Sequence, residues 1–320
     1  MLNCTQASEF LNITPARVKQ LLKENPDLGF MKTHHNNGMF KIPPHAMTSL
    51  LSLRGFSFDH KRVIIKQQKG GVGGTSLSLL SSLRLAQKGA KVLYIDLDSE
   101  ANATSFLAND DLDIANTKTV LEIFKSGTTP KDCVIKTKFE NISMIPSKGM
   151  LRRVDRLLSD KNPKMLMDKV ISSVETDFDI VFLDLPPTYT RLTESAYLAA
   201  DLIILPYDPS SFSIEGVMLT YEDLQESMQE YEVTRSIEIK VLMNKYSNTK
   251  TSSKEAFSQM AKLMSDNVLP FSIKASTDIV NSINEGKNLF ETKANAEIKA
   301  NIDELCNFIA PLQTQSKLRH

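Results

Sequence analysis

Lys69-Gly70-Gly71-Val72-Gly73-Gly74-Thr75-Ser76 lies between the β-branched run Arg62–Gln67 and a helical pattern over Thr75–Lys88. Glycines at this spacing let the backbone curl so that successive N–H groups converge on one point. The helix that starts there adds the positive end of its dipole. Such a turn cradles phosphate, and the hydroxyl of Thr75 stands in register to meet a Mg2+ ion carried by that phosphate. A glycine-rich turn without a ligand would require neither the strand before it, the helix after it, nor that hydroxyl. Lys69, Gly70, Gly71, Val72, Gly73, Gly74, Thr75 and Ser76 are therefore the candidate phosphate-binding residues.

Outward from this loop, short apolar runs alternate with helical patterns to the end of the chain. The expected strands are Arg62–Gln67, Lys91–Asp96, Ile142–Ile145, Ile180–Asp184, Leu202–Pro206, Ile237–Met243 and Val268–Phe271. Helical patterns cover Thr75–Lys88, Leu192–Ala200, Ile214–Tyr231 and Ser252–Met264. Near-continuous apolar strands separated by helices imply an α/β fold, with a parallel twisted sheet flanked by helices. Residues 105–116 read as a polar surface loop. Ile298, Ile302, Leu305, Ile309 and Leu312 form a stripe at helical spacing, expected to pack a C-terminal helix on its own sheet.

The chain has 320 residues, with 38 basic and 38 acidic side chains. That length suits two domains, and the neutral balance argues against whole-molecule electrostatic capture by nucleic acid while allowing a local basic face. No run approaches the ~18 apolar residues of a membrane span, and the first residues lack a charged leader followed by an apolar stretch. The expectation is a soluble intracellular protein that makes no membrane contact. Cys4, Cys133 and Cys306 are far apart and odd in number, which suits neither a disulfide framework nor a metal site.

Pattern changes near residues 55–62, dividing the chain into residues 1–58 and 59–320. In the first part Gln6–Leu11 is a short helix, and Thr14-Pro15 opens a second through Lys23, with Thr14 as N-cap and Pro15 in the first turn. Helix, tight turn, helix is an arrangement that places its second helix in the DNA major groove. That helix carries Arg17, Lys19, Gln20 and Lys23, with Val18, Leu21 and Leu22 free to face inward. His34 to Ile42 reads as a hairpin turning at Asn37-Gly38, and a third helix runs to Leu53. His34 and His35 lack partners at ligand spacing and read as wing residues rather than metal ligands. The segment resembles a winged helix-turn-helix of the MerR-like kind; a small helical module for protein contacts is the other reading.

Lys69 followed by Gly-Gly-Val-Gly resembles the deviant Walker A loop of the ParA/MinD superfamily of partition and positioning ATPases. Two positions depart from the general P-loop: Gln68 replaces its first glycine, and Gly74 replaces its lysine. The first departure is the family's own. The resemblance implies ATP and Mg2+ as ligands, and a Lys69 that reaches across an ATP-sandwich dimer to the partner's phosphates. The second departure removes one charge beside the phosphates. That costs ~1.5–3 kcal/mol of binding and slows turnover further, because charge gathers there in the transition state.

Further stretches extend the resemblance over about residues 62–310. Asp96 to Thr104 is similar to the family's Asp-x-Asp-Pro-Gln-x-Asn-x-Thr, with Ser99 and Glu100 in place of Pro and Gln. It implies that Asp98 orients the attacking water and Asp96 joins the Mg2+ shell. Asp184-Leu185-Pro186-Pro187 ends an apolar strand as a Walker B element does, so Asp184 would hold Mg2+. Residues 206–209 and 214–216 resemble the family's dimer face, and Asn244 stands where relatives contact the adenine. Lys245, Lys250, Lys254, Lys274 and Lys287 are the candidates for nonspecific DNA contact.

The implied function is that of a partition ATPase. It would dimerise on ATP, coat DNA on the nucleoid, meet a centromere-binding ParB-like partner, segregate plasmid or chromosomal cargo and regulate its own operon. The alternative, opened by Gly74, is an ATP-binding positioning protein or repressor that does not hydrolyse.

Overall fold

The computed structural model describes residues 1–32 and 39–314. The chain begins with α1 (Cys4–Leu11), α2 (Pro15–Glu24), the antiparallel pair β1 (Met31–Lys32) and β2 (Phe40–Lys41), and α3 (Pro44–Leu53). Thr14 caps α2, its Oγ1 accepting from the Arg17 amide at 3.2 Å, and Pro15 occupies the first helical position. The expected Asn37-Gly38 turn, with His34 and His35, lies outside the described residues. A short strand, β3 (Phe56–Phe58), leads into β4 (Lys61–Ile65), α4 (Gly74–Gln87) and β5 (Val92–Asp96).

Next come α5 (Asn102–Leu107), α6 (Val120–Ser126), β6 (Ile135–Lys136), β7 (Ile142–Ile145), α7 (Val154–Leu158), α8 (Pro163–Ser172) and β8 (Ile180–Asp184). The chain continues through α9 (Arg191–Ala199), β9 (Leu202–Tyr207), α10 (Ser211–Glu230), β10 (Glu238–Tyr246), α11 (Thr251–Leu263) and β11 (Val268–Lys274). It closes with α12 (Thr277–Asn284), α13 (Ala296–Ile309) and β12 (Leu312–Thr314).

Eight strands form one sheet in the order β11-β10-β9-β4-β8-β5-β7-β6, parallel throughout except for the β6 edge. Alternation along the strands sends side chains to two cores. Val63, Ile65, Tyr94, Phe182 and Ile204 join one cluster with α4, α13 and the N-terminal helices. Ile64, Ile95, Val181, Leu183 and Leu205 join the other, with residues of α6 to α11. This is the covered, mostly parallel sheet that the apolar runs predict.

Two readings need correction. Residues 105–107 belong to α5 rather than to a loop, because Phe106 and Leu107 are buried and anchor that turn. In the C-terminal stripe, Ile298, Ile302, Leu305 and Ile309 pack as expected, but Leu312 falls beyond the helix in β12, which pairs with β3.

The base of the sheet is held by Arg62. A guanidinium has five N–H donors, and here Glu175 takes two, at 2.8 and 2.9 Å. Asp168, the Ala199 carbonyl and Ser172 also accept from it. Its side chain is 4% exposed. Removing one partner of a buried ion pair leaves the remaining charges unsatisfied. Arg62→Met should therefore lower stability by about 3–5 kcal/mol in urea unfolding. A loss below ~1 kcal/mol would mean that the carboxylates are adequately solvated without it.

Candidate nucleotide-binding site

β4 ends at the centre of the sheet between β8 and β9, and the chain turns through residues 66–73 into α4. Gly73 caps the helix at φ +92°, and a Cβ on it would overlap the Asn244 amide. Gly74 is as close and less forgiving: a Cβ there would overlap a backbone atom, the carbonyl oxygen of Ile65 at the end of β4. Gly74 is thus a point of close approach between helix and strand as well as a position without a lysine. Among the described residues no side chain caps α4, so its first-turn N–H groups are left for a ligand. The loop opens on a groove of about 350 Å³ lined also by Lys66, Asn244, Lys245, Lys274 and Ser276.

The carboxyl ends of β5 and β8 meet beside this loop, with Asp96 and Asp184 as register partners. Thr75 Oγ1 donates to Asp184 at 3.0 Å. Asp96 is fully occupied: it accepts from the Asp98 amide at 3.0 Å and from the Thr104 amide and hydroxyl at 2.8 and 2.7 Å. It organises the loop that carries Asp98, and Asp98 in turn accepts from the Glu100 amide at 3.0 Å. Burial, together with the nearby Asp96 charge, pushes the Asp184 carboxyl up to about 7. Asp96 is also raised, chiefly by burial, against the pull of its hydrogen bonds from Thr104.

The remaining site residues divide between the loop and its surroundings. Lys69 Nζ donates to Ser210 Oγ at 3.1 Å and lies 6.0 Å from the centre of the Phe212 ring, turned toward the start of α10. Asn244 is spent on bracing, donating to the Val72 carbonyl at 2.8 Å and accepting from the Lys245 amide at 2.9 Å. Lys245, which is exposed, and Lys274 line the groove; Lys245 donates to the Gly71 carbonyl at 2.6 Å, and Lys274 pairs with Glu297. Lys250 and Lys254 are exposed at the start of α11, and Lys287 pairs with Glu285. Arg17, Lys19, Gln20 and Lys23 are all exposed on α2, far in sequence from this groove.

This donor set suits a nucleotide's phosphates with Mg2+: free helix-terminal amides, cations along the wall, and a hydroxyl beside a carboxylate. Among the described residues no cluster of three or more His, Cys, Asp or Glu side chains could hold a metal alone. The ion would arrive with the phosphates, as Mg2+ commonly does.

The profile of the AAA domain family AAA_31 matches residues 60–239, more than half of the chain. The chain belongs to this family. Its relatives place it among the ParA/MinD partition ATPases. It is 29% identical over 252 residues to the cell division protein PomZ of Myxococcus xanthus, covering 77% of this chain and 78% of PomZ. It is 29% identical over 158 residues to the sporulation initiation inhibitor protein Soj of Bacillus subtilis, covering 49% and 62%. An ATP complex of McdA from Cyanothece superposes with a TM-score of 0.70 at 23% identity, covering 79% of this chain and 97% of that one. That last likeness concerns the fold.

Sequence reasoning missed Lys66, which it counted as part of a strand, and Thr104, whose place in the Asp-x-Asp stretch is the signal for its bonds to Asp96. It also missed Ser210, which receives Lys69. The raised Asp184 predicts a pH-dependent cost. A carboxyl that titrates near 7 when folded and near 4 when unfolded holds its proton in the native state between those values. Stability is therefore lost as pH rises through about 7. Asp184→Asn mimics the protonated form at every pH. Without ligand it should melt several degrees above the parent at pH 8, by less at pH 5, and level with it only below about pH 4. Its Mg·ATP affinity should fall about 10–100-fold, read by calorimetry with and without Mg2+.

Proposed function

We propose that this chain is an ATP-binding partition protein whose ATP-bound form dimerises and holds DNA. The observation that carries this reading is the uncapped α4 terminus, whose Thr75 hydroxyl donates to Asp184 at the sheet's central crevice. Gly70, Gly71, Val72, Gly73, Gly74, Thr75 and Ser76 cradle the phosphates of the chain's own nucleotide, and Lys69 reaches those held by a partner copy. Asp184 and Thr75 hold Mg2+, Asp96 supports that shell through the loop it organises, and Asp98 positions the attacking water. Asn244 shapes the adenine side of the groove by fixing the loop.

Lys69 points at the start of α10, where Phe212 is 72% exposed beside it. A second copy placed on that face would receive Lys69 on its own phosphates. Residues 1–58 act as a winged helix-turn-helix, with Arg17, Lys19, Gln20 and Lys23 presented to an operator. Lys250 and Lys254 give the nonspecific DNA contact, with Lys245, Lys274 and Lys287 engaged elsewhere before DNA arrives. The working place is the cytoplasm, on the nucleoid. No described helix is long and apolar enough to cross a membrane. A ParB-like partner and plasmid or chromosomal cargo complete the cycle.

A second reading is favoured by Gly74: ATP closes the dimer but is not hydrolysed, and the protein acts as a positioning factor or ATP-gated repressor. Partner-stimulated phosphate release supports the first reading, and persistent ATP dimers with no release support the second.

The dimer is tested by light scattering with Mg·ATP. The parent chain should double in mass, and Lys69→Ala should stay monomeric while still binding ATP. A Lys69→Ala dimer of parental strength would sink the assignment. On DNA, neutralising Lys250 and Lys254 together should reduce the log–log salt slope by about 1–2.

A further inference from the structure

The place of the absent lysine is filled from another direction. Lys66, the first residue beyond β4, lies alongside Gly74: its Cδ is 3.2 Å from where a Cβ of residue 74 would stand. Lys66 is only 8% exposed, yet it lines the same groove as the glycine loop. Among the described residues its ammonium has no hydrogen-bond or ion-pair partner. Asp184 feels its charge, which draws that carboxyl down. An ammonium at the groove wall without a close partner is available to an anion that enters the groove. Lys69 is not positioned to serve the same atoms, since its ammonium is held by Ser210 at the start of α10.

We propose that Lys66 is the phosphate-binding lysine of this protein. It supplies from the end of β4 the charge that a lysine at position 74 would supply from the first turn of α4, so that Lys66 and Gly74 form one paired arrangement. The two positions exclude each other sterically. A side chain at 74 would meet both the Ile65 carbonyl and the Lys66 stem. With a cation restored beside the phosphates, Gly74 ceases to be a loss of binding charge. The inference rests on the nucleotide-binding reading above, and its test separates the two.

The full-length chain is treated with an acyl-phosphate derivative of ATP, whose terminal phosphate carries the acyl group. A lysine amine near that phosphate attacks the acyl carbonyl, forms an amide and releases ATP, and the site is read by peptide mass spectrometry. Lys66 should be acylated, and excess Mg·ATP should suppress the label. Competed labelling of Lys69 or a wall lysine without Lys66 would overturn the inference and leave nucleotide binding standing. No ATP-competed label on any lysine would count against both.

In parallel, Lys66→Met should weaken Mg·ATP and ADP about ten- to a hundredfold, the range for one charge-assisted hydrogen bond, and leave AMP binding unchanged. Unchanged ATP affinity, or an equal loss for AMP, would show that Lys66 only balances Asp184 within the fold. Should Lys66→Met not fold, the labelling of the parent chain decides alone.

Discussion

The approach of α4 to the end of β4 governs the rest of the site. The chain leaves the middle of a buried sheet and must start a helix above the strand it has just left, with the backbone of residue 74 against the carbonyl of Ile65. Only a glycine fits. That contact fixes where the helix terminus points, and so which strand ends can converge on it. β8 brings Asp184 to Thr75, β5 brings Asp96 and the loop bearing Asp98, and β10 brings Asn244 under the turn. A parallel sheet delivers all these carboxyl ends to one edge, so the crevice is assembled by topology before any side chain is chosen.

The charges gathered there are held against their own preference. Two carboxyls sit side by side out of water, and burial disfavours their ionised forms. Asp96 is compensated by three hydrogen bonds and becomes a structural member of the loop. Asp184 has fewer partners and is left to be satisfied by a cation. The groove wall carries the reverse imbalance in Lys66, while Lys274 is already paired with Glu297. A polyanion with a divalent cation answers both sides at once, which is the physical sense in which the groove is complementary to Mg·nucleotide.

Much of this is legible in the residues, and the limits have causes. β7 and β8 fall on the expected residues because both are short apolar runs with sharp polar ends. The loop, Thr75 and Asp184 follow from chemistry at fixed spacing. α8 escapes the pattern although Asn162-Pro163 is a good start signal, since its apolar positions are diluted by lysines. Lys66 is unreadable because periodicity describes a residue's own strand and says nothing of the helix that crosses it. Lys245 and Lys274 look like surface charge for the same reason. Their positions on the groove wall come from how β10 and β11 end, which only the packing reveals.

The same limit applies to the division of the chain at residues 58 and 59. It marks a change of pattern, yet apolar packing runs straight across it. Leu11, Leu22 and Met47 belong to the same core as Leu80 and Ile302. Arg84, on α4, makes a paired bond to Asp303 at 2.7 and 2.8 Å and lies 5.1 Å from the Phe10 ring of α1. Thr48 of α3 donates to the Gly89 carbonyl just past the end of α4, at 2.7 Å. The helix that begins at the phosphate loop therefore ends inside the seat of the N-terminal helices. A module docked in this way is held by the core of the α/β unit as well as by the chain that joins them, and α4 runs from the glycine loop to the seat of α1 and α3.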